Sequence, residues 1–406
     1  MNKPLPDKSI GPKLWTKNFI LLTIVNMSFM FGFNMMHPTI PLFITDMGGT
    51  KAQVGLVAAS FSVAAIVTRF FAPLILQKFG KGRMLRVGVA LTLLVTFACG
   101  FAKALPLILL FRVLQGVGFG FVSTLTTTLA ADLLPDERRG EGIGYFGMGI
   151  TAVTAISPAL GLFLVESASF LIMFLTASAG QLLSVVSLCA FAPPARIAER
   201  NPDAPKLSVR NSFFEPRLLL QCAMLLFMGA ARSAEQNFLS LLAADRRIAG
   251  LSWYYVFQTA ICFIAKFLTG RLYDKRGPVW SVLPGGVCWL LAFLIMSFSY
   301  DLGVLFIAGF FSGFGMGALL PSMQTWCISR VGAERRSVAS ALYFNFYDIG
   351  IGGGALILGH LFGASGAAVA FRTASVCMAV FLVICLLGIR SGKESKDRQY
   401  KEHTHV

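Results

Sequence analysis

Twelve stretches of the chain, at about 18–43, 53–76, 84–102, 105–131, 142–165, 168–191, 217–243, 251–272, 279–299, 303–328, 337–362 and 367–389, are apolar for long enough to cross a bilayer, and this recurrence restricts the fold more than any other feature. About 20 mostly apolar residues span the hydrocarbon core. Backbone in lipid must satisfy its own N–H and C=O groups, so segments of this length read as helices. The expected class is all-α, a polytopic membrane protein with twelve transmembrane helices. Composition agrees: 56% of the 406 residues are hydrophobic and 13% are charged, against about 25% charged in soluble domains. Such a chain is neither disordered nor a disulfide scaffold. The run from Phe19 continues past Met30 to Pro41, longer than the roughly 7–15 apolar residues of a signal peptide. It is read as a retained first span.

The formal charge of +16 would suggest nucleic acid if it were clustered. Instead it alternates along the chain. With the N-terminus inside, 26 of the 35 Lys and Arg fall in one set of loops and tails and 5 (Lys51, Lys103, Arg246, Arg247, Arg372) in the other. Positive loops resist translocation, so both termini are expected in the cytoplasm and nucleic acid is not an expected partner. Arg69, Arg112, Arg232 and Lys266 remain inside helices. The eight Cys show no Cys-x-x-Cys spacing, and they read as small buried hydrophobes rather than metal ligands. No Gly-x-x-x-x-Gly-Lys-Ser/Thr loop occurs, which removes ATP as a drive. Neither metal nor cofactor is expected.

A proline-rich, charged stretch around Pro193–Pro205 divides the spans into two sets of six. The expected organisation is an N-terminal tail (1–17), a six-helix bundle (18–191), a cytoplasmic linker (192–216), a second six-helix bundle (217–390) and a C-terminal tail (391–406). The bundles repeat. A shift of 197 residues carries Arg69-x-x-x-Pro73-x-x-x-Gln77-Lys78-x-Gly80 onto Lys266-x-x-x-Gly270-x-x-x-Asp274-Lys275-x-Gly277. The same shift carries Gly116-x-Gly118-x-Gly120 onto Gly313-x-Gly315-x-Gly317, and Glu137-Arg138-Arg139 onto Glu334-Arg335-Arg336. Internal repeats in a polytopic protein mark transporters whose halves rock about a midplane site.

On these motifs the chain resembles the major facilitator superfamily, from about residue 18 to 390. Gly270-Arg-Leu-Tyr-Asp274-Lys275-Arg-Gly277 looks like that family's cytoplasmic signature Gly-x-x-x-Asp-Arg/Lys-x-Gly. The first-half copy has Pro73 for the first Gly and Gln77 for the Asp. The resemblance implies a charge latch at Asp274 and Lys275, with Gly270 and Gly277 allowing a tight turn. Arg112-Val-Leu-Gln115-Gly116 is similar to the family's Arg-x-x-x-Gly signature, whose Arg is implicated in proton coupling, while its glycines read as a helix-packing face. Gly144 through Pro158-Ala-Leu-Gly161 partly resembles the antiporter signature, with Val153, Ser157 and Leu162 departing from it. That places Pro158 and Gly161 in a moving helix and leans towards export.

Ionisable residues at membrane depth are costly and read as functional. In the seventh span Arg232, Glu235 and Gln236 share a face at i, i+3 and i+4. Glu235, Asp348 of the eleventh span and Arg112 are the proton-coupling candidates, the simplest alternative being that Arg232 and Glu235 only neutralise one another. No carboxylate occurs in the first span, which offers Asn34 and His37, the latter read as a neutral, hydrogen-bonded imidazole. Asn34, Arg232, Glu235, Gln236, Tyr254, Gln258, Gln324, Trp326, Asn345 and Tyr347 are the candidate substrate contacts. The expected function is proton-coupled export of a small amphiphilic or zwitterionic solute, such as a drug or metallophore-like metabolite, by a monomer in lipid of the bacterial cytoplasmic (inner) membrane. An importer or facilitator of a metabolite or sugar is the alternative. A membrane-embedded enzyme lacks a nucleophile or metal cluster, and a non-transporting sensor lacks a sizeable soluble domain.

Overall fold

A computed structural model describes residues 14–135, 138–192, 215–332 and 335–404. Twelve helices are long and apolar enough to cross a membrane among the described residues, as the apolar windows predict. They are α1 (Lys17–Asp46), α2 (Lys51–Phe79), α3 (Lys81–Cys99), α4 (Leu105–Leu133), α5 (Arg139–Ser167), α6 (Phe170–Cys189), α7 (Leu219–Asp245), α8 (Leu251–Arg276), α9 (Val279–Ser297), α10 (Leu302–Ser329), α11 (Arg336–Ser365) and α12 (Ala367–Thr404). A 3₁₀ turn, Pro216–Leu218, leads into α7. The last helix runs on past 389, where the apolar window ends. Its polar tail has no proline to stop the backbone hydrogen-bond ladder. The proline-rich part of the linker, Glu137 and Glu334 lie outside the described residues.

Helix ends follow local chemistry. Thr50 forms a capping box with Gln53 at the start of α2, and Asp301 accepts from the Val304 N–H at the start of α10. Arg246, just past α7, donates to the carbonyls of Ser297 (3.0 Å) and Ser299 at the end of α9 and lies 4.3 Å from the Tyr300 ring. A cation there satisfies carbonyls that the helix leaves unpaired. Gly80 and Gly277 close α2 and α8 with φ of 80° and 87°, a conformation that L side chains rarely adopt. They are 197 residues apart, so the repeat extends to the backbone.

Lipid tails are as apolar as leucine, so helices associate in a membrane through close packing at small residues. Both glycine stripes do this in the same way. A Cβ at Gly116 or Gly120 of α4 would strike α2, at Phe61 O (2.5 Å) and Thr68 Cβ (2.8 Å), whereas Gly118 packs on Thr92 of α3. In α10, Gly313 and Gly317 press on the Gln258 and Cys262 carbonyls of α8, and Gly315 on Trp289 of α9. The α4 stripe packs helices as read from the sequence, and its α10 repeat packs in the same way. Large apolar side chains such as Leu94, Ile264 and Val376 are left outward, exposed to lipid.

The halves meet chiefly along α2 with α11, α5 with α8 and α1 with α7, with a smaller contact between α2 and α7. At the end that carries Lys51 the α2–α11 seam is tight. Gly55 faces the Ala355 carbonyl and Gly359, Gly352 faces Ser62, and Lys51 Nζ bonds Asp245 of α7 at 2.8 Å. At the opposite end the α5–α8 pair is looser. Gly144 and Gly147 of α5 and Gly270 of α8 have no heavy atom within 4 Å of where a Cβ would stand.

Candidate functional site

Glu235 sits about midway along α7 and is fully buried. Its neighbours come from all round the second half. Tyr254 Oη of α8 donates to Oε1 at 2.7 Å, Gln258 Nε2 of α8 donates to the same oxygen, and Ser312 Oγ of α10 lies 2.9 Å from both carboxylate oxygens. Trp289 Nε1 of α9 bonds Ser312 Oγ at 3.3 Å, and Gln258 Nε2 does so at 2.9 Å. Arg232 Nη1 stands 2.8 Å from Oε2, close enough for charge pairing though without hydrogen-bond alignment. The Tyr347 phenol of α11 lies beside Arg232. Every neutral neighbour offers a donor, and a buried carboxylate needs that set to compensate for lost water.

The shared face read from Arg232, Glu235 and Gln236 is divided by the packing. Glu235 turns into its own half, while Arg232 and Gln236 remain half-buried towards the first half. Gln236 Nε2 meets His37 Nδ1 of α1 at 3.0 Å, so this amide–imidazole contact crosses between halves. Either the amide donates to a bare Nδ1 or, turned over, it accepts from Nδ1–H.

Arg112 of α4 is buried, bonds Gln115 Oε1 at 3.1 Å and lies 4.5 Å from the Phe61 ring. Gln115 continues to Thr96 Oγ1 at 3.1 Å and towards the Met36 sulfur. Arg112 Nε has no hydrogen-bond partner. No carboxylate pairs with Arg112 among the described residues.

Asp348 lies on the seam rather than in a core. It forms an ion pair with Arg69 of α2, across the two halves. Arg69 also reaches Ser123 Oγ at 3.3 Å and stacks 5.4 Å from the Phe119 ring. In the other seam Lys266 of α8 donates to Thr151 Oγ1 of α5 at 2.8 Å. Both contacts are twelve residues from the starts of α5 and α11, about 18 Å along each helix.

The remaining candidates separate. Asn34 donates to its own helix at the Met30 carbonyl, 2.8 Å away. Asn345 is buried with Oδ1 unpartnered. Gln324 and Trp326 lie in the last turns of α10, with Arg330 over the indole at 5.8 Å, and are not brought to Glu235. Asp274 and Lys275 are exposed at the end of α8, and Asp274 has no ion-pair partner among the described residues. Gly161 is a packing position, because a Cβ there would meet the Met35 carbonyl at 2.6 Å. Pro158 lies inside α5 in the same stretch. Sequence reading did not single out Ser312, Trp289 or Thr151, nor did it anticipate the Arg69–Asp348 pair. Arg69 and Asp348 were each visible as charges within a span, but nothing in the pattern paired them.

A model of the Major Facilitator Superfamily matches residues 22–247 and 236–405. The chain is 24% identical over 377 residues to the quinolone resistance protein NorA of Staphylococcus aureus (strain MSSA476), covering 87% of this chain and 92% of that protein. It is 23% identical over 380 residues to the multi-drug resistance efflux pump PmrA of Streptococcus pneumoniae (strain ATCC BAA-255 / R6), covering 90% and 94%. Among solved structures it superposes on a bacterial homologue of the human lysosomal transporter Spinster, in an inward-facing and unoccupied conformation, with a TM-score of 0.70 at 17% identity, covering 90% and 94%.

Proposed function

Since the chain belongs to the Major Facilitator Superfamily, we propose that it exports small amphiphilic or zwitterionic organic solutes from a bacterium by alternating access, in exchange for protons. It is a multi-pass membrane transporter and not an enzyme. Two relatives named for drug resistance and efflux support the export reading. Loop charge supports placing both termini, the linker and the Asp274 turn in the cytoplasm. On that orientation the tight seam end at Lys51 and Asp245 faces out and the open end at Gly144, Gly147 and Gly270 faces in, so the described state is inward-facing. The exposed, unpaired Asp274 then follows, because a cytoplasmic latch has no partner while the inner ends stand apart. Arg232, Gln236 and Tyr347 line the cargo path, with Glu235 behind them.

One observation carries the coupling: Asp348 and Arg69 belong to opposite halves. A carboxylate whose counter-ion is on the other half must lose or keep that partner as the halves rock, and its proton affinity changes with it. Glu235 has all its donors in its own half and is less responsive to rocking. Asp348 is therefore the first coupling residue, with Glu235 and Arg112 secondary. In reconstituted inside-out vesicles, Asp348→Asn is expected to lose concentrative uptake driven by a pH gradient while retaining substrate exchange, and Asp348→Glu to retain both. Should Asp348→Asn fail to assemble, the paired variant Arg69→Gln/Asp348→Asn, which leaves no stranded charge, carries the test. Either variant still concentrating substrate would dismiss Asp348.

A further inference from the structure

The two outer seams correspond residue by residue. The 197-residue offset carries Arg69 onto Lys266 and Thr151 onto Asp348. In the α2–α11 seam the cation faces a carboxylate. In the α5–α8 seam it faces only a hydroxyl: Lys266 Nζ donates to Thr151 Oγ1 at 2.8 Å, and the Thr151 hydroxyl donates to the Gly147 carbonyl at 3.0 Å. Among the described residues Lys266 has no carboxylate partner. An ammonium carries three donors, and this one is half-buried within a span.

The space beside the two cations also differs. Gly147 lies one turn from Thr151 on the same face of α5, and Gly270 one turn from Lys266 on the same face of α8. A Cβ at either would meet nothing within 4 Å. The offset carries Gly147 onto Phe344, whose ring lies 6.0 Å from the Arg69 guanidinium. One seam is thus occupied by an ion pair and a ring, and the other holds an uncompensated ammonium next to a gap.

We propose that Lys266 is an anion-recognition site in the α5–α8 seam, where the carboxylate of an organic cargo takes the place that Asp348 fills in the opposite seam. The inference rests on the transport reading and names a feature of its cargo. Arg69 and Arg232 have Asp348 and Glu235 as counter-ions, whereas Lys266 and Arg112 have none among the described residues. The interior therefore lacks negative charge. A charge-assisted hydrogen bond to an ammonium within a span is stronger than one at the surface, and the glycine gap admits the body of the ligand while its anionic end reaches Nζ.

Matched dyes test this. Rhodamine 123 is the methyl ester of rhodamine 110, so the pair differs at one carboxylate. Binding of each to the full-length protein in phosphatidylcholine nanodiscs is read by fluorescence anisotropy. Wild type is expected to prefer rhodamine 110 about tenfold. Lys266→Gln should abolish the preference by removing the ammonium, and Thr151→Asp by filling it from within. Thr151→Asp leaves Lys266 charged and compensated, so loss of the site is separated from loss of folding. A wild type without preference, or a preference that survives Lys266→Gln, overturns the proposal. A preference seen in phosphatidylcholine but lost in phosphatidylglycerol assigns the site to a lipid headgroup and also overturns it. Movement of rhodamine 123 by wild-type vesicles under a pH gradient tests export separately. Failure there beside a Lys266-dependent preference would remove export and keep the site.

Discussion

Tyr254, Gln258 and Ser312 direct donors at Glu235 while Arg232 supplies the opposite charge, and an ionised carboxylate can accept all of them. Glu235→Gln puts an N–H₂ among those donors and strands Arg232. Breaking a buried pair on one side costs about 3–5 kcal/mol, so the purified variant should unfold at a clearly lower temperature than wild type. Arg232→Met/Glu235→Gln, which removes both charges, should recover part of that loss. An unchanged midpoint in the single variant would show that the network does not hold the second half together. Glu235 and Arg232 were legible because charges within a span stand out and their spacing puts them one turn apart. Ser312 was not, since a serine in an apolar helix usually bonds its own backbone and leaves no trace in the pattern. Asp348 was visible as an acid, but its partner is 279 residues away, and only the packing of α2 on α11 brings them together.

Helix number and the two glycine stripes were readable from apolar length and the 197-residue offset. The exposed state of Asp274 was not, because a signature motif names a turn and not the distance to whatever the turn would bind. Nor does pattern reveal which seam end is tight. That end depends on Gly55, where a Cβ would fall 2.2 Å from the Ala355 carbonyl, and Gly359, packed on Gly55. Gly55→Leu should wedge α2 from α11 at the Lys51 end, because backbone cannot yield as a flexible side chain can. With spin labels at the exposed positions Lys103 and Ala364, one on each half, the wild-type distance distribution should move to longer values in Gly55→Leu. A distribution that does not move would mean that this seam does not decide which way the carrier opens. Lys51–Asp245 at the same end is partly exposed, so it should contribute little, about 0–1 kcal/mol.

For the molecule as a whole, the proposed orientation rests on loop charge, which would orient every helix at once. Reporters placed after Gln399 and within the 193–214 stretch should both read cytoplasmic, and a cysteine at Lys103 should react with an impermeant reagent added from outside. A periplasmic signal from either fusion would reverse the assignment of open and closed ends. Lys266, half-buried within a span and without a carboxylate partner among the described residues, has a consequence for energetics. The inside of a respiring bacterium is electrically negative, and a charge carried across the full drop changes energy by about 2.3 kcal/mol per 100 mV. On the proposed inward-facing orientation Lys266, past the midpoint of α8 towards its cytoplasmic end, lies nearer the cytoplasmic potential, so the field would favour an empty carrier open to the cytoplasm. A cargo that brings its own negative charge cancels part of that hold. On this proposal the voltage that would park the carrier beside its cargo would oppose the return less once the cargo has been taken up.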